Sequence, residues 1–169
     1  QVLKNMKIKN VPSPIIAKYK WPGIYDPFTH QKQTAAFLTL HRRAFCFNDP
    51  GTGKTMSVTW ACDYLMNVKQ IKRVLIICPL SIMQAAWQND IFKGAMHRKV
   101  GVAYGSKEKR TQVINSDAEF VIINFDGVAV VEDEIAKAGF DTTFVHNSER
   151  DGRNWSGWKA GPDKVASAP

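Results

Sequence analysis

Apolar residues in this chain follow two alternating rhythms. Short uninterrupted runs, such as Val74-Leu75-Ile76-Ile77 and Phe120-Val121-Ile122-Ile123, have the length and β-branched content of strands buried on both faces. Between them lie longer stretches with apolar residues three and four apart, the spacing of helices with one buried side. In chain order the pattern predicts Thr29 as a helix cap, helix over 31–41, strand over 44–47, helix over 54–68, strand over 73–78 and helix over 81–92. Strand over 99–103, helix over 107–115, strand over 119–124, a short helix over 132–137 and a last strand over 142–145 follow.

Four prolines between Val11 and Pro27 predict an extended lead-in without regular structure. After Ser148, glycines and prolines punctuate a polar, tryptophan-bearing stretch with no periodicity, which predicts an irregular or disordered tail. The chain thus divides into a basic, proline-containing lead-in over 1–24, one lobe over 25–147 and a tail over 148–169. Strict strand–helix alternation within the lobe implies a mainly parallel sheet with right-handed crossovers and helices on both faces, a three-layer α/β/α architecture.

Composition adjusts this picture modestly. A length of 169 residues suits one domain with a proper core, and no apolar run is long enough to cross a bilayer. The polar, lysine-dotted start is not a secretory signal, and the absence of an initiating methionine at Gln1 suggests a fragment or a trimmed chain. Cys46, Cys62 and Cys78 sit singly in apolar segments, reading as buried small hydrophobes of a reducing, cytoplasmic or nucleic-acid-associated compartment rather than a zinc site or disulfide framework. The net charge is +8, and Lys4, Lys7, Lys9, Lys18 and Lys20 face no acidic residue in the first twenty positions. Such an arm either neutralises the phosphates of nucleic acid or forms a solvated face.

The chemistry is concentrated at Asn48-Asp49-Pro50-Gly51-Thr52-Gly53-Lys54-Thr55, between an apolar run and a helix. A glycine-rich turn opening a helix aims backbone N–H groups, a helix N-terminus and one lysine at a small volume, which suits a polyphosphate. Lys54 is placed to reach the β- and γ-phosphates, Thr55 to ligate Mg²⁺, and the backbone from Asn48 through Met56 to cradle ATP. Asn48 stands where the usual pattern has glycine, and asparagine tolerates left-handed backbone better than most residues.

Several segments in order resemble the first, RecA-like motor lobe of superfamily-two helicases, and within them the Snf-type double-stranded-DNA translocases. Phe28-Thr29-His30-Gln31-Lys32-Gln33 resembles the element in which a glutamine reads the adenine edge, which assigns that role to Gln31. The P-loop is similar to the family's Asp-Glu-Met-Gly-x-Gly-Lys-Thr. Leu75-Ile76-Ile77-Cys78-Pro79-Leu80-Ser81-Ile82 with Trp87 resembles its strand, Cys-Pro turn and tryptophan-bearing helix, with Ser81 facing the DNA backbone and Trp87 packing inward. Tyr104-Gly105-Ser106 with Arg110, and Val121-Ile122-Ile123-Asn124-Phe125, are similar as well, which makes Asn124 a second nucleic-acid contact.

The match covers roughly residues 25–147 and departs from the family where that family carries the acidic pair that holds Mg²⁺ and activates water. Here Phe140-Asp141-Thr142-Thr143-Phe144-Val145 leads into His146-Asn147-Ser148. Neutral histidine is a poor Mg²⁺ ligand and asparagine cannot take a proton from water. Asp126 is a surrogate carboxylate only if one strand replaces another, and Glu132, Asp133 and Glu134 read more simply as a favourably charged helix start. No second lobe follows, so motor activity would need one in trans. The resemblance implies an ATP- and Mg²⁺-binding lobe of a translocase acting on nucleic acid, double-stranded DNA first, with no membrane partner and with hydrolysis in doubt. The alternatives are a non-hydrolysing nucleic-acid or protein-binding module on the same scaffold, and a small nucleotide kinase, for which no arginine-rich lid is evident.

Overall fold

The computed structural model describes residues 13–146. The predicted basic arm at Lys4, Lys7 and Lys9, Asn147 and the predicted tail lie outside the described residues.

The continuous apolar runs form β1 (Val74–Cys78) and β3 (Phe120–Asn124), every residue of which is buried. β2 (Val100–Ala103) and β4 (Thr142–Val145) flank them, giving an all-parallel four-stranded sheet in the order β2-β3-β1-β4. Alternate residues leave each central strand on opposite sides, so two cores form. Ile76, Cys78, Phe120 and Ile122 pack with Val58, Cys62 and Met66 of α3 (Lys54–Asn67) and with Met83, Trp87 and Ile91. Leu75, Ile77, Val121 and Ile123 pack with Ile114 of α5 (Lys107–Ile114), Val128 of α6 (Phe125–Val130) and, across α7 (Glu132–Lys137), with Phe140. This is the three-layer α/β/α arrangement that the alternation predicts, and it agrees with the RecA-like fold that the resemblance implies.

Four predictions need correction. The segment over 81–92 is not one α-helix: a 3₁₀ turn over Leu80–Ile82 passes into a π-helix over Met83–Gln88 and then α4 (Asn89–Gly94). The wider turn brings Met83, Trp87 and Ile91, spaced four apart, onto the sheet together, each at most 2% exposed. The proline-rich lead-in contains a helix, α1 (Pro14–Lys18), because Pro14 stands at its first turn, where a missing N–H costs nothing, and Ile15 is fully buried. Thr29 is the first residue of α2 (Thr29–Leu40) rather than its cap, a position held by Phe28.

The fourth correction concerns the run before the P-loop. Residues 44–47 belong to no strand. β4 pairs with β1 on one side only, and no described strand lies beyond it to carry the ladder to 44–47. Phe45 and Phe47 stay 46% and 88% exposed and stack on each other at 5.6 Å.

α2 packs on α3, and the lead-in straps across both. Ile15, Ala35, Ala36 and Ala61 form a small third core with Tyr19, Trp21 and Tyr64 around it. Beneath the strap lies Asp63, fully buried, which accepts hydrogen bonds from the Tyr19 hydroxyl at 2.5 Å, Arg98 Nε at 2.5 Å, His97 Nε2 at 2.8 Å and Asn67 Nδ2 at 3.1 Å. Arg98 continues to Glu119 at 2.7 Å, linking α3 to the entrance of β3. Burial and the Asp63 carboxylate raise the Tyr19 hydroxyl well above its ordinary value, so it remains a donor. Burial also pushes the Cys62 and Cys78 thiols up to about 12, in keeping with inert packing.

Candidate nucleotide and nucleic-acid sites

The P-loop turns on two glycines in left-handed conformation, Gly51 at φ 80° and Gly53 at φ 75°, the latter capping α3. α3 begins at Lys54, so the N–H groups of Lys54, Thr55 and Met56 have no partner within the helix and converge on the loop mouth. Lys54 Nζ lies across the loop, donating to the Asn48 carbonyl at 2.6 Å and the Asp49 carbonyl at 2.9 Å. Thr52 closes the turn through its hydroxyl on the Asp49 carbonyl at 2.8 Å. Pro50 and Gly51 are exposed at the tip, and Thr55 sits 9% exposed at its base. The Met56 side chain packs inward toward Gly94, so this residue faces the loop through its backbone alone.

Two residues of α2 hold this loop from behind. Gln31 donates from Nε2 to the Thr52 carbonyl at 3.3 Å and accepts the Phe28 N–H on Oε1 at 3.0 Å. A Cβ on Gly53 would stand 2.1 Å from that Nε2, so the glycine is required for this approach as well as for its positive φ. His30 Nε2, which the sequence did not single out, donates to the same Thr52 carbonyl at 3.0 Å. Asn48 is not among the residues with positive φ. Its amide donates instead to Thr34 Oγ1 at 2.9 Å, which explains why this position needs no glycine.

β4 delivers His146 beside the P-loop, its N–H on the Ile77 carbonyl at 2.8 Å and its ring against Trp87. Burial first, and the nearby Lys54 ammonium second, lower the His146 imidazole below its usual value, so it is neutral near pH 7. Lys54 and Thr55 therefore fit a polyphosphate and its cation from one side, while a neutral imidazole supplies no hard oxygen from the other. Asp126 lies on the exposed surface of α6, directly after β3, and β1 separates β3 from β4.

The proposed nucleic-acid contacts stand at the carboxyl ends of neighbouring strands, since Cys78 pairs with Asn124. Ser81 is exposed in the turn after β1. Asn124 is 5% exposed, and its Oδ1 accepts from Arg110 Nη1 at 2.8 Å. Arg110 also donates to the Ala103 carbonyl at 2.7 Å and the Gly105 carbonyl at 3.0 Å, tying the ends of β2 and β3 together. Gly127 makes room for this: a Cβ there would lie 2.0 Å from Arg110 Nη1 and 2.8 Å from Asn124 Oδ1. The signal available in the sequence was Arg110 sharing a helix face with Val113 and Ile114, which marks a buried position rather than a solvated one.

The family model of the SNF2-related domain matches residues 30–150, most of the chain, and takes in the P-loop, Gln31, Asn124 and His146. The chain belongs to the SNF2-related domain family. As a member of that family it carries a helicase-like ATPase lobe. No curated protein matches it. Among solved structures, the Sulfolobus solfataricus SWI2/SNF2 ATPase core in complex with dsDNA is similar over 63% of this chain, at 19% identity and a TM-score of 0.56. A nuclease-deletion mutant of the Type ISP restriction-modification enzyme LlaGI, in complex with a DNA substrate mimic, matches over 73% at 14% identity and a TM-score of 0.49. This SNF2-related chain spans 23% of the length of the first and 15% of the second. No helix among the described residues is long and apolar enough to cross a membrane.

Proposed function

We propose that this chain is the ATP-binding N-terminal lobe of a helicase-like, nucleic-acid-dependent translocase, and that it binds nucleotide without turning it over efficiently on its own. The observation that carries the proposal is the P-loop itself: two left-handed glycines, a lysine lying across the turn and a helix N-terminus open toward it, within an SNF2-related domain. Lys54 holds the β- and γ-phosphates, Thr55 offers its hydroxyl to Mg²⁺, and the backbone from Asn48 to Met56 cradles the phosphate chain. Mg²⁺ bound there supplies charge neutralisation between phosphate oxygens.

His146 limits the chemistry. The residue after β4 stands beside Lys54, where a carboxylate would hold the cation and accept a proton from water, and an imidazole kept neutral by burial does the first poorly. Transition-state charge must also be met from a second side, which in such motors is a second lobe. The same observation favours a second reading, a non-hydrolysing nucleic-acid or protein-binding module that keeps nucleotide as a ligand.

The partner proposed is double-stranded DNA, met at the carboxyl ends of β1 and β3 by the exposed Ser81, while the buried Asn124–Arg110 pair braces those strand ends from within. The Sulfolobus solfataricus SWI2/SNF2 ATPase core is in complex with dsDNA, and the net charge of +8 on this chain suits such a polyanion. Fluorescence anisotropy with unrelated duplexes tests this. Affinity is expected to be independent of sequence and to fall linearly with salt on logarithmic axes, by about 0.9 per phosphate neutralised. A flat salt response would remove phosphate contacts from the proposal.

A further inference from the structure

The donors that this chain offers a phosphate-bound cation are mixed, and half of them do not suit Mg²⁺. From the P-loop side comes oxygen: Thr55, in the first turn of α3 and 9% exposed, carries a hydroxyl, and the β- and γ-phosphates bring more. From the side of β4 comes nitrogen. Val145 is in register with Ile77, and the His146 N–H donates to the Ile77 carbonyl at 2.8 Å, which holds the residue at the carboxyl end of the sheet. Its ring meets Trp87 edge-on at 5.7 Å, and Trp87 belongs to the same core as Val58, three positions beyond Thr55 on α3. Burial first, and the nearby Lys54 ammonium second, keep this imidazole neutral, so it retains a lone pair to donate.

Mg²⁺ demands a near-ideal octahedron of oxygens and gives up its waters reluctantly, so an imidazole adds little to its binding. Borderline divalent ions of the first transition row, Co²⁺ and Zn²⁺ among them, accept imidazole nitrogen together with oxygen. Among the described residues no three His, Cys, Asp or Glu side chains are grouped to hold a metal ion by themselves. A polyphosphate has to complete the shell.

We propose that the cation of this nucleotide site is a borderline transition-metal ion of the Co²⁺ and Zn²⁺ class, held jointly by Thr55, the phosphates and His146, and bound only together with a polyphosphate. This rests on the proposal that the P-loop holds a polyphosphate, and it changes the metal that accompanies it. The nitrogen sets the preference, because divalent ions later in the row gain more from imidazole than Mg²⁺ does.

Titration calorimetry of the full chain, of His146→Ala and of His146→Asp tests it, with inorganic tripolyphosphate paired in turn with Mg²⁺ and with Co²⁺, beside proton NMR of the Co²⁺ complexes. The unaltered chain is expected to bind Co²⁺–tripolyphosphate about tenfold or more tighter than Mg²⁺–tripolyphosphate. A strongly shifted imidazole N–H signal should accompany the Co²⁺ complex, and since tripolyphosphate contains no nitrogen, that signal belongs to the protein. His146→Ala should lose the signal and bring the two affinities within about threefold of each other, with retained Mg²⁺–tripolyphosphate binding showing that the loop is still folded. His146→Asp should move the preference toward Mg²⁺, because its carboxylate supplies a hard oxygen. Equal affinity of the unaltered chain for the two complexes, or a shifted signal that persists in His146→Ala, would overturn the metal assignment and leave the phosphate site standing. So would Co²⁺ binding of the same strength without tripolyphosphate. Failure of tripolyphosphate to bind the unaltered chain with either ion would overturn the phosphate site and the metal assignment with it.

Discussion

Lys54→Ala lowers affinity for MgATP by about a hundredfold or more while leaving the fold in place. The ammonium makes charge-assisted hydrogen bonds to phosphate oxygens in a cradle built otherwise of neutral N–H groups, and such bonds contribute about 1.5–3 kcal/mol each, so two lost contacts exceed that factor. What the lysine does for the protein alone is small. Among the described residues its ammonium bonds the Asn48 and Asp49 carbonyls of its own loop, which water can satisfy after truncation. Calorimetric titration beside a urea melt separates the two effects: affinity should collapse while the unfolding free energy from the melt stays within about 1 kcal/mol of the unaltered protein. Retained affinity in the variant would move the phosphate site elsewhere.

Asp63→Ala is expected to have the opposite profile, a loss of fold rather than of a ligand. The carboxylate is fully buried and accepts from Tyr19, Asn67, His97 and Arg98 at once. Removing it leaves the Arg98 guanidinium, only 12% exposed, facing a cavity with Glu119 as its remaining carboxylate partner. Breaking a buried pair from one side costs about 3–5 kcal/mol, a large share of the roughly 5–15 kcal/mol that holds a domain together. The strap of the lead-in over α3 loses the same anchor, since Tyr19 reaches the core through this carboxylate. Urea unfolding followed by tryptophan fluorescence reports it, because Trp21 and Trp60 pack edge-to-face in this layer. A shift below about 1 kcal/mol would mean that the ion cluster is surface-like in its energetics.

How legible these features were depends on how local their causes are. β1 and β3 declare themselves because four consecutive apolar residues can hide only between two layers, and the P-loop because its glycines and lysine are contiguous. Residues 44–47 look the same in sequence as those strands, yet strandedness needs a neighbour, and β4 is an edge with no described strand beyond it. Asn124 was expected to face nucleic acid; what buries it is Arg110, fourteen positions away, folding across Gly127. Asp63 falls within a helix whose pattern does not mark it, and its partners lie as far as Tyr19 on one side and Arg98 on the other. The occupation of Gln31 by the P-loop is likewise a contact between α2 and a turn 21 residues away. At His146 it was the resemblance, with its acidic pair missing after the last strand, that raised the question of catalysis, and the half-buried setting near Lys54 sharpens that question.

Hydrolysis is therefore where the proposed function stands or falls. The measurement is single-turnover conversion of ATP with protein in excess, with and without double-stranded DNA, beside Lys54→Ala. Bound ATP that stays intact over many minutes, with or without DNA, is the expected result for a P-loop lobe whose strand end offers histidine in place of a carboxylate. DNA-stimulated turnover abolished in Lys54→Ala would contradict it and would require a catalytic carboxylate elsewhere in the chain, with Asp126 the first to replace.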